Sequence, residues 1–131
     1  MITAAEAETW LAAYRQAWVT QSADRIVALF TADATYREKR FEPPAIGSAQ
    51  IRDYWHRNVI DSEREIEFAV EQVMVQGDQA FAHWRARFLW LPAGRTFELD
   101  AVFRLTFSST PNPDGVRLAT SLEEWIDHRS L

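Results

Sequence analysis

Near residue 65 the apolar side chains change from a helical period to a period of two, and this change limits the fold more than any other feature. Upstream, Trp10, Leu11, Tyr14 and Trp18 recur at helical spacing behind Thr3-Ala4-Ala5-Glu6, a capping-box sequence, so a first helix is predicted to about Thr20. Ser22 is placed to cap a short second helix carrying Ile26, Val27, Leu29 and Phe30 and ending near Ala32. A strand then begins at Ala34-Thr35-Tyr36, and Pro43, Pro44 and Gly47 break the chain before Ser48, the expected cap of a third helix. That helix would turn Ile51, Tyr54, Trp55 and Val59 inward.

Downstream, the chain alternates. In "AFAHWRARFLW" Ala82, Trp84, Ala86, Phe88 and Trp90 oppose His83, Arg85 and Arg87; in "TFELDAVFRLTF" Phe97, Leu99, Ala101, Phe103, Leu105 and Phe107 oppose Glu98, Asp100 and Arg104. Gly77-Asp78 and "LPAG" read as turns, "SSTPNPDG" as a loop and "VRLATSLEEW" as the last strand. Helices gathered before four long antiparallel strands predict an α+β domain, a cone-shaped curved sheet wrapped around three N-terminal helices. A chain of 131 residues suffices for one such domain, residues 1–131.

Composition removes several functions. A net charge of -5 argues against a phosphate-binding footprint, so no nucleic-acid partner is expected. The absence of cysteine excludes thiolate chemistry and disulfides. His56, His83 and His128 are dispersed, without metal-ligand spacing, so neither a metal nor a cofactor is expected. "MITAAEAETW" reads as neither leader nor anchor and no later run is long enough to span a bilayer, so a cytoplasmic protein is expected.

The strand of Ala34 and Tyr36 puts Glu38 on their face, and a carboxylate beside apolar groups needs a job or a partner. Three readings stand: a general base or acid with a raised pKa, a structural acid bonded to Tyr14 or an arginine, or a carboxylate in water at the mouth of the cone. On the last strand Ser121, Glu123 and Trp125 share one face and Leu122 and Glu124 the other, and parity leaves open which is inward. Arg37, Lys39 and Arg40 form a basic cluster that is either a solvated loop or a lure for an anionic substrate.

With "LFTADATYRE", "AIGSAQIRDYW" and a closing strand ending in Trp125, the chain resembles the nuclear transport factor 2-like superfamily, and within it the SnoaL-like and ketosteroid isomerase-like members. The resemblance covers nearly the whole chain and implies fold more specifically than function. Matching "DATYRE" to the isomerase's first strand implies that Glu38 stands at its carboxylate base, Tyr14 at its phenol donor and Trp55 at a tyrosine. Phe103 stands where the isomerase keeps a protonated aspartic acid. Neither the Asp-Arg-Asp set of the fold's epoxide hydrolases nor the paired histidines of scytalone dehydratase is present.

The resemblance also favours Glu123 as the second inward acid and implies a homodimer through the outer sheet face. Parity and resemblance together predict a pocket for a small apolar molecule lined by Trp18, Phe30, Tyr36, Trp55, Trp84, Phe88, Leu99, Ala101, Phe103, Ser121 and Trp125, with Glu38, Tyr14 and Glu123 as its catalytic groups. The implied activity is cofactor-independent isomerisation, cyclisation or dehydration of a small apolar carbonyl compound. The alternative is a non-catalytic ligand-binding or dimeric structural domain.

Overall fold

In a computed structural model describing residues 1–131, the capping box forms as its sequence requires. Thr3 Oγ1 accepts from the Glu6 amide at 3.1 Å and the Glu6 carboxylate accepts from the Thr3 amide at 3.0 Å. Helix α1 (Ala4–Val19) buries Trp10, Leu11, Tyr14 and Trp18. Helix α2 (Ala23–Val27) is capped by Ser22 and stops short of the expected Ala32, because the chain is already extended at Phe30, where strand β1 (Phe30–Arg37) begins.

A two-residue strand, β2 (Ala45–Ile46), which the sequence reading does not anticipate, leads directly into helix α3 (Gly47–Trp55). Ser48 is therefore not its cap: Ile46 occupies that position, and its amide is satisfied by the Gln50 side chain at 2.8 Å. A π-helical segment, His56–Ile60, prolongs α3 and carries Asn58. No helix is long and apolar enough to cross a membrane.

Four long strands follow: β3 (Glu63–Gln76), β4 (Gln79–Trp90), β5 (Arg95–Phe107) and β6 (Ala119–Ser130). The sheet order is β2-β1-β6-β5-β4-β3, with β1 and β6 its one parallel pair. The sheet is curved and unclosed, and the three helices lie against its inner face. Aromatic rings fill the closed end: Tyr14 packs on Trp10, Trp18, Trp55, Phe68 and Phe103 at centroid distances of 5.3 to 6.1 Å.

Bulges set which residues face inward. Phe107 opposes Ala119, but Thr106 opposes Ser121, so β6 carries one extra residue there and its parity reverses. Ala119 points inward before the bulge; Leu122 and Glu124 point inward after it. A second bulge, between Arg64 and Glu67 on β3, contains Glu65 at φ 57°.

Gly47 is the glycine on which the entry to α3 turns. It sits at φ +82°, and a Cβ there would lie 3.3 Å from the Ala32 carbonyl oxygen. Gly47→Ala is expected to lower stability by about 1–2 kcal/mol, read as a shift of the urea midpoint at unchanged m.

Candidate functional site

Two strand ends and the middle of a third strand deliver three acids to one cavity. Glu38 follows the last residue of β1, Glu63 opens β3, and Glu124 is the second inward residue after the β6 bulge. The cavity has a volume of about 550 Å3. Glu63, Phe88, Leu99 and Glu124 are its buried floor; Tyr54, Asn58, Trp90 and Phe97 form half-buried walls; Lys39, Ile126 and His128 stand at the exposed rim.

Burial dominates the electrostatics. It raises Glu38 to about 6, against a hydrogen bond with Glu124 and the Lys39 charge, both of which pull it down. Glu124, 2% exposed, is raised well above the ordinary carboxyl range by burial first, then by the Glu38 charge and by the same hydrogen bond. The interaction between the two lowers the one carboxyl and raises the other, so Glu38 gives up its proton more readily than Glu124. Glu124 Oε2 is buried and accepts no hydrogen bond from a protein donor.

Glu63 is raised to about 8, again by burial first, although the Trp18 indole N–H donates to its Oε1 at 2.8 Å. At neutral pH the Glu38 carboxyl is mainly ionised and Glu63 mainly protonated, while Glu124 is shifted in the direction of its protonated form. The three acids form no cluster suited to a metal ion.

Of the residues the sequence reading put in the pocket, Glu38, Phe88 and Leu99 line this cavity. Trp18, Phe30, Tyr36, Trp55, Trp84, Ala101 and Phe103 are inside the cone but packed as core behind it. Tyr14 belongs to the same packing. Its hydroxyl lies 3.3 Å from that of Tyr36, which accepts from the Trp55 indole N–H at 3.2 Å. Burial raises both phenols well above their usual range.

Glu123, Ser121 and Trp125 are corrections: the β6 bulge turns all three to the outer face. Glu123 there pairs with Arg104 and, at 3.5 Å, with Arg40. Trp125 is 40% exposed beneath the two guanidinium groups, Arg40 at 4.3 Å and Arg104 at 5.4 Å from the ring. Arg40, from the basic cluster, is thus tied to this outer face, and Lys39 stands at the cavity rim.

Two functional acids were not identified from sequence. Glu124 was seen but assigned outward, since nothing in "ATSLEEW" announces the extra residue. Glu63 lies one turn after a π segment and before a bulge, where neither period applies. The adjacent Ser62-Glu63 between the helical and alternating stretches was the only signal available. Phe103 and Glu124 are direct cross-strand partners. The neighbouring strand thus sets a buried carboxyl directly beside Phe103.

The sequence profile of the SnoaL-like domain matches residues 11–110, and the chain belongs to that family. No curated protein matches the sequence. Among solved structures, the hexachlorocyclohexane dehydrochlorinase LinA superposes with a TM-score of 0.82 at 12% identity, covering 97% of this chain and 88% of that one. The epoxide hydrolase/cyclase-like enzyme SalBIII, of pyran ring formation in salinomycin, gives 0.76 at 18% identity and 95% coverage of both chains. A protein from Catenulispora acidiphila with a ketosteroid isomerase-like fold, in complex with trimethylamine, gives 0.75 at 17% identity, with 88% and 83% covered. At these identities the likeness shows the α+β cone itself.

The raised acids have a pH signature of definite sign. Glu63 takes its proton at about 8 when folded and at 4.5 when unfolded, so between those values the folded chain binds more protons and stability falls as pH rises. Glu98 acts oppositely: Arg87 first, then Arg129, hold it at about 2, and the stability it lends is lost only as pH falls through the acid range. Wild-type stability is therefore expected to decline from about pH 5 to about pH 8, by up to about 1.4 kcal/mol per unit of displacement. Glu63→Gln, which keeps an oxygen for the Trp18 N–H, should flatten that decline in urea melts across the window; an unchanged slope would refute the assignment.

Proposed function

Taking the SnoaL-like cone and its acid-lined cavity as premises, we propose that the protein is a cofactor-independent enzyme that moves protons on a small, largely apolar carbonyl compound, as an isomerase, cyclase or dehydratase. The observation that carries this reading is the Glu38–Glu124 pair. Both carboxyls line one cavity, and burial and their mutual interaction drive their affinities for protons apart, so a base and an acid stand ready at one pH.

Glu38, ionised near neutrality, takes a proton from the carbon beside the carbonyl. Glu124 gives its proton to the carbonyl oxygen as negative charge builds there, leaving a neutral enol between a protonated Glu38 and an ionised Glu124. Return of the proton from Glu38 to a different carbon, with the oxygen's proton going back to Glu124, completes an isomerisation and restores the starting pair. With a hydroxyl on the carbon β to the carbonyl, the enol proton returns to Glu124 as the carbonyl re-forms, the carbon–oxygen bond to the hydroxyl breaks, and Glu38 gives its proton to that hydroxyl, which leaves as water; this is the dehydratase outcome. Tyr14 and Tyr36 support Glu38 from behind, as a rigid hydrogen-bonded layer with Trp55, and make no contact with substrate. Phe88, Trp90 and Phe97 exclude water from the acids and raise the value of each hydrogen bond made there.

The neighbours support proton chemistry of this type. Dehydrochlorination removes a proton and a chloride from adjacent carbons, and the cyclase-like neighbour closes a ring. A second reading, a dimeric domain acting through its outer sheet face, draws on exposed Trp125 and on the Glu98 ladder with Arg85, Arg87 and Arg129.

A panel of small β,γ-unsaturated cyclic ketones, followed by ultraviolet absorbance as the double bond moves into conjugation, tests the enzyme reading. Glu38→Gln should lower turnover by about 10²–10⁴ and Glu124→Gln by about 10²–10³. Turnover in Glu38→Gln equal to wild type would exclude Glu38 as the base.

A further inference from the structure

The acid–base pair leaves the third cavity acid unused. Glu63 is 7% exposed, its Oε1 takes the Trp18 indole N–H at 2.8 Å, and no protein donor bonds its second oxygen. Around the same space stand the rings of Tyr54, Phe88, Trp90 and Phe97, with Phe88 and Trp90 inclined at 62° and 6.3 Å apart. We propose that Glu63 and these rings form a subsite for a positively charged nitrogen, an alkylammonium group on the molecule the cavity takes.

The charges lining the cavity select this class. Three carboxyls face the cavity and no arginine does; its one lysine, Lys39, has a side chain 65% exposed and lies 3.8 Å from Glu42 outside. Glu98, by contrast, is met by three arginines on the outer face. An anion entering the cavity would meet Glu38 with no counter-charge. A wholly apolar molecule would seal Glu63 and the unpartnered Oε2 of Glu124 from water and offer neither a new partner.

An alkylammonium group resolves both difficulties. Its charge draws Glu63 into the ionised form, the proton passing to solvent, and pairs with the carboxylate so formed, while its methyl or methylene groups lie against the rings of Trp90, Tyr54 and the two phenylalanines, the arrangement in which cation–π attraction is largest because water is excluded. The groups facing Glu63 fit this account from every side: Glu38 and Lys39 follow β1, Tyr54 and Asn58 lie on α3 and its π extension, and Glu124 and His128 are on β6. The Lys39 and His128 positions at the rim leave the acidic floor to the cation. The subsite uses the cavity of the proposed proton-transfer reaction and assigns it a substrate class, with Glu63 as a positioning residue that holds the charged end while Glu38 and Glu124 act at the other.

Calorimetric titration of the full chain with choline and with its uncharged carbon isostere, 3,3-dimethyl-1-butanol, separates charge from shape. Choline is expected to bind about tenfold more tightly or better. Glu63→Gln should remove most of that preference while leaving the affinity for dimethylbutanol unchanged, and Glu63→Asp should retain part of it; thermal melts confirm that each variant is folded. Equal binding of the two compounds by wild type, or a preference that survives in Glu63→Gln, overturns the subsite. Binding is read without turnover, so such a result leaves the Glu38–Glu124 reaction standing, and a catalytically silent protein that prefers choline would still keep the subsite.

Discussion

A carboxyl buried to 2% exposure in a strand of aromatic neighbours is the constraint around which this domain is arranged. Glu124 stands opposite Phe103 and beside Leu122, and in that setting an ionised carboxylate costs several kcal/mol. The chain meets that cost by raising the group's affinity for its proton and giving it one partner, the Glu38 carboxyl. Glu38 in turn reaches the cavity because β1 runs parallel to β6 and ends level with it, Arg37 pairing with Glu123. The parallel pair, unusual in an otherwise antiparallel sheet, is what brings the two acids together.

The same extra residue on β6 that turns Glu124 inward turns Glu123 and Trp125 outward, and the outer face shows what the chain does with acids it means to keep charged. Glu123 lies between Arg40 and Arg104, and Glu98 takes Arg85, Arg87 and Arg129. Guanidinium groups there hold Glu98 at about 2. Glu63 receives an indole N–H and Glu124 a neighbouring carboxyl instead, and both have a raised affinity for their protons. One sheet thus carries two opposite treatments of glutamate, separated by the thickness of a strand.

Most of the fold was legible because each element is locally consistent. The Thr3 capping box, the turn at Gly77 and the strict alternation from Phe97 to Phe107 each have one good interpretation. Glu38 was legible for the same reason: Ala34, Tyr36 and Glu38 keep a simple period. What escaped was the position of every bulge. A bulge changes which face a residue takes while leaving the composition of the strand untouched, so Glu123 and Glu124 exchange roles with no trace in "SLEEW". Apart from Trp125, the aromatic residues expected in the pocket are interior, but inward parity does not separate a ring that lines a cavity from one that fills the core. Trp18, Trp55 and Trp84 fill it; Trp90, nearer the open end of its strand, lines the space that remains.

That division of labour bears on mechanism. Tyr14 occupies the position that the isomerase comparison gives to an oxyanion donor, yet here it is enclosed by five aromatic rings and meets only Tyr36 through its hydroxyl. A donor that cannot reach substrate stabilises nothing on it. In the proposed reaction the hydrogen bond to a developing oxyanion comes from a group at the cavity wall whose affinity for its proton is raised, and the Glu124 carboxyl is such a group. On that proposal the donor is a strand carboxyl directly across from Phe103, in place of a helix phenol. Glu38 stands just past the end of the first strand, so a chain with phenylalanine at this point of β5 still sets one carboxyl beside another.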